Sequence, residues 1–240
     1  MSARHNNPRL LIVEGYDDLR SVVGLMEHHV DWPNGRENAP VHIEIGESVE
    51  KILKQAYLTA QLKTSNLEAI GIMLDADWEQ GSRYQQIRTV YLKDFPDLPA
   101  LMPKEGLIAE NKDGVRLGLW IMPDNFSPGI FETFLEHLVP SNAQPIWNHS
   151  VEAVSKARTL GAEWKDVQRP KANLYTFLAW QDPPGQSPGI SLSRKILDPH
   201  CPLAQVFATW FKSLYKLTST TTENATVLSS NPLSQRNPAI

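Results

Sequence analysis

The sequence predicts an α/β fold, a mostly parallel sheet flanked by helices, with a helical C-terminal extension. Short aliphatic runs at 9–15, 41–46 and 67–77 have the length and character of strands. Each is followed by a segment with apolar residues at helical spacing, over 17–30, 47–62 and 79–95. Strands alternating with helices need crossover connections, and these lay the strands parallel and cover both faces of the sheet.

The first run, RLLIVEG, ends in glycine, and the helix after it carries two aspartates in its first turn, where the dipole favours them. Pro, Gly and Asn make 31–40 a loop. VHIEIG at 41–46 alternates as a strand, and Val49, Ile52, Leu53 and Leu58 fall at helical intervals behind it. LEAIGIMLDAD is the third strand. LIAEN, a KDG turn and the run 115–124 predict a hairpin with a long, central second strand, and 127–139 a helix with Phe131, Phe134 and Leu138 inward. Beyond residue 140 the pattern is helical, with Pro170 near one helix start, 182–202 as a loop-rich connection, and an amphipathic last helix at 203–217. The expected division is an α/β domain at 8–139, a helical extension at 140–217 packed on it, and a polar, disordered tail at 218–240.

Composition narrows the function. A 41% apolar and 21% charged chain of net charge −4 is that of a globular protein without a global basic face. The single cysteine, Cys201, leaves no intrachain disulfide and no cysteine-based zinc site. No apolar stretch is long enough to span a bilayer and the N-terminus has no signal-peptide pattern, so the expected location is the cytoplasm, with no membrane partner.

Acids stand at three strand ends: Glu14 after the first, Asp75 and Asp77 after the third, Asp124 after the long later one. Open α/β sheets bind ligands at the carboxyl ends of their strands. Carboxylates gathered there repel one another unless some stay protonated or a cation joins them, and Mg²⁺ suits an all-oxygen set. The bland alternatives are a loop acid after a strand and an Asp N-cap.

LIVEGYDDLRSVV followed by GIMLDADW resembles the Toprim domain of topoisomerases, primases and the overcoming-lysogenization-defect nucleases. The later blocks, GLWIMPDNFSPGIFETFLEHL and RPKANLYTFLAWQDPPGQSPG, resemble a family of small stand-alone Toprim-like proteins, extending the likeness over residues 8 to 217. The resemblance implies Glu14 as general acid/base or metal ligand, Asp75 and Asp77 as ligands of Mg²⁺ or Mn²⁺, and Asp18 joining them through its VEGxxD pattern. It also implies a later acidic pair, for which Glu132 and Glu136 are the candidates, and a late lysine on the phosphate, for which Lys171 is the candidate. Solvated surface residues are the alternative for all three. Asp124 is a site neighbour on its position alone.

The implied activity is metal-dependent cleavage of nucleic acid in a defence or repair system. The chain has no Walker motif, so an ATPase would be a separate partner; a homodimer is a further expectation. Two other readings stay open: a non-catalytic Toprim-like module that binds protein or nucleic acid, and an Asp-x-Asp metal-nucleotide transferase. His28 and His29 read as helix-end cations, Trp147, Trp164, Trp180 and Trp210 as core or subunit contacts, and the basic residues of 193–200 as a solvated loop.

Overall fold

The computed structural model describes residues 7–33, 38–46, 48–76 and 82–219. Five strands form one sheet in the order β2-β1-β3-β5-β4, comprising β1 (Arg9–Val13), β2 (His42–Ile45), β3 (Ala69–Asp75), β4 (Leu107–Glu110) and β5 (Arg116–Met122). β1, β2, β3 and β5 run parallel, and β4 pairs antiparallel with β5 through the expected hairpin. β3 and β5 are apolar along nearly their whole length, as strands covered on both faces must be.

Alternate residues of these strands feed two cores. Leu11, Val13, Met73, Trp120 and Met122 face α1 (Tyr16–Met26), α5 (Phe131–Glu136), α7 (Arg169–Ala179), α8 (Pro188–Ser193) and α9 (Pro202–Tyr215). Leu10, Ile12, Ile70, Ile72, Leu117 and Leu119 face α2 (Val49–Ile52), α3 (Gln55–Leu62) and α4 (Ser82–Tyr91). α6 (Gln144–Thr159) lies outside, against α7.

The last helix is built into the first core. Gly71 and Gly118 are register partners on β3 and β5, and a Cβ on either would overlap the Tyr215 hydroxyl or the Leu214 side chain. Two glycines side by side thus open a trough for α9. The buried Tyr215 hydroxyl donates to Leu10 O at 2.8 Å, Trp210 Nε1 donates to Leu107 O at 3.0 Å, and Arg116 donates to Leu214 O.

Three elements differ from the sequence reading. The helix expected over 47–62 is two, because Lys54 is extended (φ −88°, ψ 130°) and the buried Tyr91 hydroxyl donates to the Ile52 carbonyl at 2.9 Å, completing the end of α2. That break lets Ile52 and Leu58 both face the sheet. The helix expected over 127–139 is confined to α5. The connection read as loop contains α8, whose Gly189 lies against Gly24 of α1, close enough that neither position has room for a Cβ.

His28 and His29 bond to the carbonyls of Leu192 (3.0 Å) and Pro199 (2.8 Å), tying the end of α1 to the α8 region. Among the described residues, no helix is long and apolar enough to cross a membrane. The expected tail lies, from residue 220 onward, outside the described residues.

Candidate functional site

The chain passes from β1 through α1 to β2 on one side, then returns to place β3 on the other side of β1. Strand order therefore reverses between β1 and β3, and the crevice at their carboxyl ends is where an open sheet binds ligands. Glu14 leaves β1 there and Asp75 ends β3. Their link is direct: the Asp75 amide donates to Glu14 Oε1 at 2.7 Å.

Gly15, extended at φ −142°, caps α1 and turns the chain back over this edge. A Cβ at Gly15 would stand 3.1 Å from Asp18 Oδ2, so the glycine lets the Asp18 carboxylate fold close to the strand end. Asp18 is pushed up to about 7, first by burial, then by the charges of Glu14 and Glu132, with its own backbone bond acting the other way. Asp75 is pushed well above the usual carboxylate range by burial and by the charges of Glu14, Asp18 and Glu132, against a bond from the Phe131 backbone. Its Oδ1 is buried and has no hydrogen-bond partner among the described residues. Four carboxylates from β1, α1, β3 and α5 thus share one electrostatic environment.

α5 and α7 bring the next layer. Glu132 is only 8% exposed and takes an ion pair from Lys171 Nζ at 3.2 Å, so the late lysine sits beside the acids. Glu136, one turn on, accepts from Asn173 Nδ2 at 3.2 Å and is raised by burial despite that bond. The geometry sets Asp124 apart. Its carboxylate accepts from the amides of Phe126 (3.0 Å) and Ser127 (2.6 Å) and from the Ser127 hydroxyl (2.8 Å). Burial works against it, yet the Ser127 bonds hold it below its ordinary value, and its role is to close the turn after β5. Asp77 lies outside the described residues.

The donor set suits a hard cation in chemistry. It is all carboxylate, mutually repelling, and contains a buried oxygen with nothing to bond. Among the described residues, however, no three His, Cys, Asp or Glu side chains are grouped closely enough to hold a metal ion. A cation would be held by Asp75 with Asp18 or Glu14.

Three participants escaped the sequence reading. Arg83 Nε donates to the Asp75 carbonyl at 2.9 Å, fixing the end of β3. A cation in the first turn of a helix opposes the dipole, and that was the available signal. The Tyr175 hydroxyl donates to Asp17 Oδ2 at 2.8 Å and Lys171 lies over the Tyr175 ring at 5.6 Å, so α7 is clamped to the first turn of α1. No sequence pattern joins Asp17 to Tyr175.

No curated protein and no solved structure matches this chain. A family model does match, over residues 8–216, and it spans β1 to the end of α9 with every described site residue inside it. The chain belongs to that family, described as a protein of unknown function (DUF3226).

Proposed function

We propose that this protein is a metal-dependent, Toprim-type enzyme that cleaves phosphodiesters in nucleic acid. The observation that carries the reading is the direct link of Glu14 to Asp75 at the point where strand order reverses, with Asp18 and the Lys171–Glu132 pair in the same electrostatic environment. Charge repulsion and an orphaned Asp75 oxygen make the cluster unfavourable as it stands, and a divalent cation removes both costs. The sheet order and the position of both acids at adjacent strand ends support the Toprim reading.

Bound Mg²⁺ or Mn²⁺ would supply charge neutralisation at the phosphate and a water made more acidic than in bulk, which a nearby base can deprotonate. Asp75 and Asp18 would hold the ion, Asp18 releasing to solvent the proton it carries near neutrality. Glu14, fixed on the Asp75 amide, is oriented to take a proton from the attacking water. Lys171 leaves its pair with Glu132 to meet a non-bridging phosphate oxygen, where charge grows as the P–O bond to the leaving group breaks.

Purified protein with Mg²⁺ or Mn²⁺ is expected to cut DNA or RNA and to stop in EDTA, and Asp75→Ala should slow it by at least ~100-fold. The absence of a closed metal-ligating group among the described residues favours the second reading, a non-catalytic binding module. Inert wild-type protein, alone and with an ATPase partner, would establish that reading instead.

A further inference from the structure

The carboxyl edge of the sheet carries exposed aromatic rings as well as acids. Tyr16 follows Glu14 and Gly15 directly and is 58% exposed. Phe126, 55% exposed, stands in the turn after β5, whose last residue Met122 registers with Asp75. Tyr175, 37% exposed, reaches Asp17 from α7. Of the four exposed Phe, Tyr and Trp side chains among the described residues, only Trp180 is elsewhere, at the end of α7 and stacked on His149.

Isolated surface aromatics are ordinary. These three are set apart by their common edge and by a cation over each ring: Arg20 over Tyr16 at 6.0 Å, Lys104 over Phe126 at 4.9 Å, and Lys171 over Tyr175 at 5.6 Å. A ring more than half exposed, with a cation against one face, keeps its other face for a flat partner. Aromatic rings interleaved with cations are the hardware of single-strand binding, where bases stack and the backbone passes basic groups.

We propose that the site takes single-stranded nucleic acid, with unpaired bases stacked on Tyr16 and Phe126 and the intervening phosphate led past Lys171 to the carboxylates. β1 and β5 are two strand spacings apart, about 10 Å, so one strand can reach both rings. A duplex hides its base faces and is held chiefly through its phosphates, to which a chain of net charge −4 has no net attraction. This inference names the substrate class of the site proposed above and rests on that reading.

The test is binding of a labelled oligonucleotide, single-stranded or annealed to its complement, in Ca²⁺, with cleavage in Mg²⁺ measured separately. The single strand should bind at least about tenfold more tightly than the duplex. Tyr16→Ala and Phe126→Ala should each weaken it about tenfold, and Tyr16→Trp should keep it, as loss or retention of one stacked base requires. Equal or tighter duplex binding, no binding of either form, or alanine variants that bind like wild type would overturn the inference. If duplex is cut in an Asp75-dependent way while the ring variants bind normally, the enzyme reading stands and this one falls. Ring-dependent single-strand binding without cleavage would sink the enzyme reading and leave this one in place.

Discussion

Glu14 and Asp75, 61 residues apart in sequence, are joined where their strands end, the amide of one donating to the carboxylate of the other at 2.7 Å. The bond fixes Glu14 and ties two catalytic candidates into one unit. Glu14→Ala would orphan the Asp75 amide at a cost of about 1–3 kcal/mol, a fall of roughly 3–10 °C in thermal midpoint. Glu14→Gln keeps an acceptor oxygen and should melt within a few degrees of wild type. Both should lose cleavage. Thermal melts beside a nuclease assay separate the two effects.

Asp18 supplies a pH signature. Folded, its carboxyl is raised to about 7, against an ordinary value of 3.8. Between those values the folded chain holds a proton that the unfolded chain has released. The stability this group contributes is therefore full below about pH 4 and is lost as pH rises through about 7. Asp75 is raised too and acts in the same direction. In EDTA, Asp18→Asn should melt increasingly above wild type from pH 5 to pH 8, by up to roughly 3 kcal/mol, with the gap closing toward pH 4. A gap that does not change with pH would contradict the assignment.

Lys171 is half exposed while its partner Glu132 is nearly buried, so the pair should matter more to chemistry than to stability. Lys171→Ala should lower cleavage by about 10²–10³-fold and, because it leaves the nearly buried Glu132 unpaired, stability by about 1–3 kcal/mol, with Lys171→Arg intermediate in rate. Single-turnover rates and chemical denaturation check the two halves. Loss of stability without loss of rate would make this lysine structural.

The trough under α9 makes its own prediction. Gly71→Ala drives a methyl into the Tyr215 hydroxyl and should cost about 1–3 kcal/mol. Truncation after Ser219 should leave the midpoint nearly unchanged. Truncation after Pro202 removes Phe207, Trp210, Phe211, Leu214 and Tyr215 from the first core and should give insoluble or unfolded protein. A soluble, cooperatively melting 1–202 fragment would show that α9 is an appendage.

Much of this architecture was legible because strands buried on both faces must be continuous apolar runs, and their ends mark the ligand edge of the sheet. Glu14 and Asp75 were found that way. The Lys171–Glu132 neighbourhood came from the Toprim resemblance, since nothing local says that α7 docks beside α5. α8 is six residues long, too short for a helical period to declare itself, and its surroundings of Pro and Gly read as loop. The break between α2 and α3 depends on Tyr91, whose hydroxyl arrives from a different helix. Asp124 shows the converse: an acid after a strand looks the same in sequence whether it faces a ligand or closes its own turn.

Anomalous diffraction from a crystal soaked in Mn²⁺ reports whether this acidic edge holds a divalent cation. A peak is expected within about 2.5 Å of an Asp75 carboxylate oxygen, with Glu14 or Asp18 as a further ligand, and no peak there in Asp75→Ala crystals. No peak at the β1–β3 edge, or one that survives Asp75→Ala, would contradict the metal-site reading.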